Sequence, residues 1–356
     1  MINYGPGPAS HEIEITVFGP GYGEAIAVHL GEQQWMLIDS CLAPDKATPA
    51  SHAYLRQIGV PKSAVRTIVA SHWHDDHVRG IADLIGHYPD AEFMLSSVFS
   101  DQEATAFLAA YCGKSAPSLA RGSKELFSAI SAREVVYHMQ QRSSVLELTA
   151  NGRSIRVTAL SPTPAAVAQS VAHFATYVPR EPVSMSIGHA PELKPNLESV
   201  VLHIDFGSDA ALLGSDLENH ATLGWSAVVS DSWSAQRPPS NAYKIAHHGS
   251  STGDYPLVWL NMLSQDPVAC LTPYSLAGKY LPTVTDRERI KAHTPYAYIS
   301  SVATRKPDMD SAVLRRLHDI CSNVTRANSG FGAVRLRKTI DSQGWTHELF
   351  GAAGAL

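Results

Sequence analysis

The chain has 356 residues, of which 44% are hydrophobic and 17% charged, so it can bury a sizeable core and is not a disordered chain. The formal net charge of −5 excludes a surface that is basic throughout, which sequence-independent binding of nucleic acid would need. The four cysteines are widely spaced and exclude a disulfide scaffold, so we expect reduced and mostly buried thiols.

The first half of the chain is predicted to consist of short strands separated by helices. Alternation of apolar and polar residues predicts a strand over residues 12–18, and the glycine-rich segment 19–23 ends it. The apolar run 65–70 predicts a buried strand that ends directly at a cluster of histidines. The other elements predicted for this half are strands over residues 25–30, 35–38, 94–97, 135–137, 145–148 and 155–160 and helices over residues 51–58, 81–87, 101–112 and 123–131.

The second half continues this pattern. A helix is predicted around residues 165–174, inside a stretch, 161–195, that we expect to be an insertion into the domain. Strands over residues 200–206 and 210–213 are predicted to form a hairpin. The remaining predicted strands cover residues 243–246, 268–271, 298–301, 333–337 and 345–350.

Strands in both halves, each group interrupted by helices, predict two packed layers of sheet with helices outside them. We therefore expect a single α/β domain over residues 1–356, with two mixed β-sheets flanked by helices in an αββα sandwich. Arg335 and Arg337 alternate on a late strand and are predicted to face water. Lys279 and the arginines of segment 286–289 are likewise predicted to be solvated surface rather than phosphate contacts.

The strongest chemical signal is the segment 71–77 (SHWHDDH), which follows a predicted buried strand. Imidazole nitrogens and carboxylate oxygens are good ligands for zinc-like divalent ions. His72 and His74 can point the same way because side chains of an extended chain repeat every second residue. Asp76 and His77 can then turn toward a neighbouring position. This spacing predicts two ions a few Å apart, as in two-metal hydrolases.

Three other segments carry candidates that are weak individually. An apolar strand runs into Asp39, and a turn-like Gly-Ser pair precedes Asp216. The pair His247 and His248 follows a predicted strand, and one of the two is expected to be a metal ligand. Ser250, two residues later, is a candidate hydrogen-bond donor to an anionic oxygen.

The motif formed by residues 72–77 matches the pattern H-x-H-x-D-H, and the sequence here resembles the metallo-β-lactamase superfamily. The resemblance implies that Asp39 supports the metal loop by hydrogen bonding and that Asp216 bridges both ions. It also implies that His248 is the last ligand and His247 a neighbouring or substrate contact, although the opposite assignment of these two histidines stays open.

Within the superfamily, the sequence is similar to the metallo-β-lactamase domains of ComEC-type competence proteins and their soluble relatives. Residues 21–26 (GYGEAI) match a G-x-G-[DE]-A-I opening, and the segment 247–250 matches H-H-G-S. Residues 196–201 (NLESVV) match an N-x-x-S-[LV]-V segment. The resemblance runs from about residue 13 to about residue 334, and it implies that Asn196 and Ser199 lie next to the metal ligands.

One departure from the superfamily concerns the first metal site. The superfamily usually supplies a further histidine between the first cluster and the bridging aspartate. Here His173 and His189 lie in that interval without a recognisable motif, so both are expected to be surface or packing histidines. A first site without that histidine is more oxygen-rich, which favours manganese over zinc, and both metals stay open.

The resemblance implies a hydrolase that uses two divalent ions, zinc or manganese, and a hydroxide that bridges them. The ComEC-type similarity favours a phosphodiester substrate, such as a nucleic acid or nucleotide, and hence a phosphodiesterase or nuclease. In this hypothesis Asp76, His247 and Ser250 act at the reacting atoms. The acidic net charge weighs against a nucleic-acid polymer. The alternatives are a lactone, thioester or β-lactam-type hydrolase, and a non-enzymatic metal-bound subunit of a larger complex.

The sequence also leads us to expect a cytoplasmic protein without membrane contact. Its beginning shows neither the basic segment nor the apolar segment of a leader peptide. No stretch approaches the roughly 18 consecutive apolar residues of a membrane-spanning helix. The sequence says nothing about protein partners.

Overall fold

A computed structural model describes most of the chain. The described residues are 2–19, 22–111, 119–178, 195–276, 278–302, 330–342 and 344–356, together with the single residues 316 and 320. His189, Cys112, Cys321 and the part 179–194 of the predicted insertion lie outside the described residues. Cys41 and Cys270 are free and buried, as predicted.

The described chain forms strands and helices close to those predicted. The strands are β1 (Glu12–Gly19), β2 (Ala25–His29), β3 (Trp35–Ile38), β4 (Val65–Ala70), β5 (Glu92–Ser96), β6 (Tyr137–Met139), β7 (Ser144–Ala150), β8 (Arg153–Ala159), β9 (Leu202–Asp205), β10 (Ala210–Leu213), β11 (Ser240–Lys244), β12 (Leu263–Leu271), β13 (Tyr274–Leu276), β14 (Lys279–Leu281), β15 (Ala297–Ile299), β16 (Gly332–Thr339), β17 (Thr346–Gly351) and β18 (Gly354–Ala355). The helices are α1 (Ala50–Gln57), α2 (Asp75–Val78), α3 (Ile81–His87), α4 (Gln102–Tyr111), α5 (Leu119–Ser131), α6 (Pro164–Tyr177), α7 (Trp225–Ser230), α8 (Pro256–Asn261) and α9 (Val284–His293).

The strands form two large mixed sheets and one hairpin. The first sheet has the order β17-β16-β1-β2-β3-β4-β5-β6, and the second has the order β18-β15-β12-β11-β10-β9-β8-β7. Strands β13 and β14 pair with each other in a separate two-stranded sheet. The predicted class, two mixed sheets flanked by helices, is confirmed, and so is the predicted hairpin of β9 and β10.

Apolar side chains pack in three layers, which is why the sandwich is stable. The middle layer lies between the two sheets and contains alternate residues of many strands, such as Ile26, Val69, Ile204 and Leu213. One outer layer packs helices α3 to α6 on the first sheet, and the other packs α7 to α9 on the second sheet. None of the helices within the described ranges is long and apolar enough to cross a membrane.

Parallel strands bring the candidate site residues to one edge of the sandwich. In the first sheet β3 and β4 are parallel, and in the second β10, β11 and β12 are parallel. Asp39 directly follows β3, and the segment 71–77 directly follows β4. Asp216 follows β10, and the two adjacent histidines follow β11. The loops at the carboxyl ends of parallel strands are where α/β folds usually place their sites.

Two predictions about the elements were wrong. The strand predicted over residues 135–137 begins at Tyr137 and extends to Met139. Arg335 does not face water: it is 1% exposed, and it pairs with Glu14 and Glu348. Strand alternation correctly indicated that the side chain leaves the space between the sheets, but helix α1 lies on that face. The Arg335 guanidinium donates to the Tyr54 hydroxyl of α1 at 3.1 Å.

Candidate metal centre

Strained backbone marks three of the four loops that carry the site. Asp39, Ser215, His247 and His248 have φ values of +58°, +45°, +46° and +53°, a left-handed conformation that residues other than glycine rarely adopt. Such conformations persist only where surrounding contacts hold them, and they cluster at functional sites. Each of these residues lies shortly after the end of a strand.

Four buried side chains converge from the two sheets. Asp76, His77, Asp216 and His248 each offer one ligand atom, and these atoms all lie within 4.8 Å of one another. His248 Nε2 lies 3.2 Å from Asp76 Oδ2 and 3.3 Å from Asp216 Oδ2. His77 Nε2 lies 3.4 Å from Asp216 Oδ2. Asp76 and His77 follow a strand of the first sheet, and Asp216 and His248 follow strands of the second sheet.

The donor set of this cluster fits a divalent metal ion. His77 Nε2 and Asp216 Oδ1 are buried without a hydrogen-bond partner. Buried polar atoms are normally paired, so unpaired nitrogen and oxygen atoms at a junction of carboxylates and imidazoles call for a cation. Mixed nitrogen and oxygen ligands suit zinc and manganese.

The electrostatics of the cluster lead to the same conclusion. Burial by itself would lower the pKa of His248. The carboxylates of Asp216 and Asp76 outweigh this effect and raise the pKa to about 9. The pKa of His77 is likewise raised well above its usual value by nearby carboxylates, against the effect of burial. Burial raises the pKa of Asp216, yet the two histidines hold it well below its usual range. The carboxylates thus attract positive charge, which a bound metal ion would supply.

His72 and His74 form a second pair of imidazoles beside this cluster. His72 Nε2 and His74 Nδ1 lie 3.1 Å apart. Burial lowers the pKa of His72 well below its usual value, and the nearby His77 lowers it further. Burial also lowers the pKa of His74. Both rings are therefore neutral and can offer a lone pair to an ion. His173 lies on α6 with an exposed side chain.

Asp39 holds the metal loop in place. Its carboxylate accepts hydrogen bonds from the backbone N–H and the hydroxyl of Ser71, both at 2.7 Å, and from His77 Nδ1 at 2.7 Å. His248 is held similarly, because its Nδ1 donates to the carbonyl of Thr272 at 3.1 Å. These bonds leave Nε2 of both histidines facing the cluster, as supporting partners of metal-binding histidines do.

A buried lysine and glutamate also support the cluster, and the sequence analysis gave them no role. Lys244 Nζ lies 2.7 Å from Glu24 Oε1 and 3.8 Å from Asp216 Oδ1, and both charged side chains are fully buried. Lys244 also donates to the carbonyl of Ser215 at 2.9 Å. The sequence signal for Lys244 was a charged residue within the predicted strand 243–246, which directly precedes the two adjacent histidines.

His247 lies at the rim of the site, outside the four-residue cluster. Asn196 Nδ2 donates to Glu218 Oε1 at 3.1 Å and to His247 Nε2 at 3.2 Å. His247 Nδ1 lies 2.9 Å from the Thr252 hydroxyl and 3.2 Å from Glu218 Oε1. The structure therefore brings Asn196 next to His247, and it brings His248 rather than His247 to the cluster.

The two candidate serines have other surroundings. The Ser250 hydroxyl lies 3.3 Å from that of Thr252, and Ser250 is not among the described residues that line the pocket. The Ser199 hydroxyl is buried without a partner, while its carbonyl accepts a hydrogen bond from the Ser161 hydroxyl at 2.6 Å. Ser199 thus belongs to the loop that carries Asn196.

The residues described above surround a cavity of about 340 Å³. His74, Asp76, Asp216 and His248 are among the residues that line it, as a predicted metal centre requires. The lining also contains Tyr22, Glu218, Tyr274, Leu276 and Lys279, which were not among the predicted site residues. Lys279 is exposed, as predicted, and it also lines the cavity.

Comparison with known proteins supports one family. The model of the metallo-beta-lactamase superfamily matches residues 18–99, the segment that carries Asp39 and residues 72–77. No curated protein matches the chain. Similar solved structures include the metallo-beta-lactamase fold protein YhfI from Bacillus subtilis, with 14% identity over 81% of this chain and 95% of that chain and a TM-score of 0.40. Another is MEM-A1, a subclass B3 metallo-beta-lactamase from a soil metagenome library, with 15% identity over 70% and 83% of the two chains and a TM-score of 0.35. This match, which includes the first metal motif, supports the metallo-β-lactamase superfamily for this chain.

Proposed function

We propose that this protein is a metal-dependent hydrolase of phosphodiesters. The observation that carries the proposal is the convergence of buried carboxylates and imidazoles from both sheets on one open cavity, with ligand atoms that lack other partners. A structural metal site is normally closed, whereas a catalytic site keeps room for water and substrate.

Six side chains would hold two divalent ions. His72 and His74 would hold one ion, Asp76, His77 and His248 would hold the other, and Asp216 would contribute its carboxylate to the site. When bound, such ions lower the pKa of water toward neutrality and stabilise negative charge on the reacting oxygens.

The other residues of the site orient the substrate and the ligands. Because the Asn196 amide donates to His247 Nε2, that ring carries its proton on Nδ1, which faces Glu218. Both ring nitrogens of His247 are thus engaged, and Nε2 can accept a hydrogen bond from a substrate at the rim only after its bond with Asn196 is exchanged. The Asp76 carboxylate, next to the cavity, can bind an ion and accept a proton from water. Ser250 can donate to an anionic oxygen only after its contact with Thr252 is exchanged.

Lys279 favours a phosphodiester over an uncharged ester. It is the only lysine or arginine among the described residues that line the cavity. A cation there would attract an anionic substrate, whereas a lactone or thioester gains nothing from it. This argument supports a phosphodiester but does not distinguish a polymer from a small molecule.

Hydrolysis of bis(p-nitrophenyl) phosphate tests the proposal. Protein stripped of metal and reloaded with manganese or zinc should hydrolyse this substrate, and the stripped protein should not. His74→Ala should lose at least about a hundredfold in kcat/KM, because it removes a predicted ligand. His173→Ala, which removes an exposed histidine on α6, should keep full activity.

Three outcomes would contradict the proposal. Binding of two ions without turnover of the phosphodiester would favour the lactone, thioester or β-lactam alternatives. Binding of at most one ion without any turnover would favour a non-enzymatic subunit. Equal activity of His74→Ala and the unsubstituted protein would show that the predicted site is not the place of reaction.

A further inference from the structure

The candidate cavity has an apolar wall that the predicted metal ligands do not form. Tyr22, Tyr274, Leu276 and Leu281 lie on its lining. The rings of Tyr22 and Tyr274 meet edge to face, with centroids 5.5 Å apart. The Tyr22 hydroxyl donates to Asp75 Oδ2 at 3.2 Å, which fixes the Tyr22 ring beside its partner. Tyr274 is half-buried and lines the cavity, so part of its ring is accessible to a ligand there.

Four of the lining side chains, those of Tyr274, Leu276, Lys279 and Leu281, come from the hairpin of β13 and β14, which stands apart from both large sheets. Tyr274 is the part of the apolar wall that contacts a predicted ligand, since its ring centroid is 5.4 Å from that of the His248 ring. Leu276 on the same hairpin is 42% exposed. An exposed leucine beside a half-buried tyrosine, at the edge of a polar site, is suited to the apolar part of a ligand.

Formal charge limits the kind of ligand. The described lining carries four carboxylates, those of Asp75, Asp76, Asp216 and Glu218. Two divalent ions would balance these charges, and Lys279 would then remain for one negative charge on the substrate. A nucleic acid chain is bound through several lysine or arginine contacts to successive phosphates. The described part of the lining offers one such side chain.

We propose that the site accepts a small phosphodiester with one negative charge and a flat, aromatic substituent. The substituent packs on Tyr274, and the phosphate lies between the predicted ligands and Lys279. The cavity volume of about 340 Å³ fits such a molecule, because small-molecule sites measure roughly 300–1,000 Å³. This inference rests on the proposed phosphodiesterase function and narrows its substrate class to aryl or single-nucleotide diesters.

A matched pair of stable anions tests the aromatic subsite without turnover. Methyl phenylphosphonate and methyl methylphosphonate carry the same single charge and differ in one substituent. Calorimetry on the metal-loaded protein should show that the phenyl compound binds about tenfold more tightly, as expected for one stacking contact. Tyr274→Ala should abolish this preference, and Leu276→Ala, which changes a largely exposed side chain, should reduce it. Tyr280→Ala, on the same hairpin and 57% exposed, should leave it unchanged.

Lys279→Gln tests the charge separately. It should weaken the binding of both phosphonates by a similar factor of about tenfold, because it removes the same anion contact from each. Lys291→Gln, an exposed lysine on α9, should weaken neither. A single-stranded DNA of about 20 nucleotides should not displace the phenyl compound at about 0.15 M salt.

The results separate this inference from the proposed function. Equal binding of the two phosphonates, a preference that survives in Tyr274→Ala, or displacement by DNA would each overturn the inference, even if bis(p-nitrophenyl) phosphate is hydrolysed. A phenyl preference that depends on Tyr274, without hydrolysis of any diester, would support the binding site and refute the proposed phosphodiesterase.

Discussion

At the scale of single residues, the candidate centre depends on how its histidines are held. Asp39 accepts three hydrogen bonds at 2.7 Å, two from Ser71 and one from His77. A free imidazole can rotate and exchange its tautomer, whereas His77 has Nδ1 engaged and Nε2 directed at the cluster. The affinity for an ion therefore depends on a residue that does not touch it.

Asp39→Asn should weaken metal binding by about 10- to 100-fold, because asparagine removes the charge that fixes the His77 tautomer. Competition with a chromophoric chelator measures this change. Asp45→Asn removes an exposed carboxylate and is the matched control. Unchanged affinity in Asp39→Asn would show that the hydrogen bond to His77 does not orient a ligand.

Lys244 is a second residue of this kind, because it places a buried positive charge between Glu24 and Asp216. Lys244→Met should destabilise the fold by about 3–5 kcal/mol, since it leaves Glu24 buried without a cation. The double variant Lys244→Met/Glu24→Gln should recover much of this loss. Urea unfolding measures both. A single variant as stable as the unsubstituted protein would mean that water reaches the pair.

At the scale of elements, the turn between β2 and β3 combines strain with a titratable group. Gly31, Glu32 and Gln33 have φ values of +91°, +47° and +61°. The backbone N–H of Gln33 donates to His29 Nε2 at 3.1 Å, so this nitrogen must be unprotonated. Burial lowers the pKa of His29 to about 4.

This turn should make stability depend on pH. The ordinary pKa of histidine is 6.5, so between pH 6.5 and about 4 the unfolded chain binds a proton that folded His29 does not. The contribution is therefore complete above pH 6.5 and declines as the pH falls, by up to about 3 kcal/mol.

Urea unfolding of the unsubstituted protein and of His29→Gln isolates this contribution, because the glutamine amide oxygen can accept the same hydrogen bond. Between about pH 7 and about pH 5 the unsubstituted protein should lose about 2 kcal/mol more than the variant. Parallel losses in the two proteins would contradict the prediction.

At the scale of the whole molecule, the metal cluster joins the two sheets. Asp76 and His77 follow β4 of the first sheet, whereas Asp216 and His248 follow strands of the second. An ion bound by all four would connect the two halves of the sandwich. Without it, two carboxylates and their neighbouring charges lie close together at the junction.

Removal of metal should therefore lower the stability of the entire fold. An ion present at about 100 times its dissociation constant adds about 2.7 kcal/mol to the free energy of unfolding. Thermal unfolding with a chelator and with added manganese or zinc measures this difference. Asp216→Ala should lose the response to metal, and His173→Ala should keep it. A response that survives in Asp216→Ala would place the ion elsewhere.

Much of the fold and part of the site followed from local patterns. Hydrophobic periodicity located most strands of both sheets, and the first motif placed His72 and His74 two residues apart behind a buried strand. The hairpin of β13 and β14 was not predicted, because two strands of three residues carry too little periodicity. Its residue Lys279 is exposed, as predicted, and only the structure shows that it also lines the cavity.

The sequence by itself determined the αββα class and the metal motif, because periodicity and ligand spacing are properties of neighbouring residues. Only the tertiary structure decided that Arg335 is buried, that Lys244 pairs with Glu24, and that His248 rather than His247 joins the cluster. These outcomes depend on which segments, distant along the chain, pack against each other. The environment of a charged side chain is set by those partners and not by its own strand.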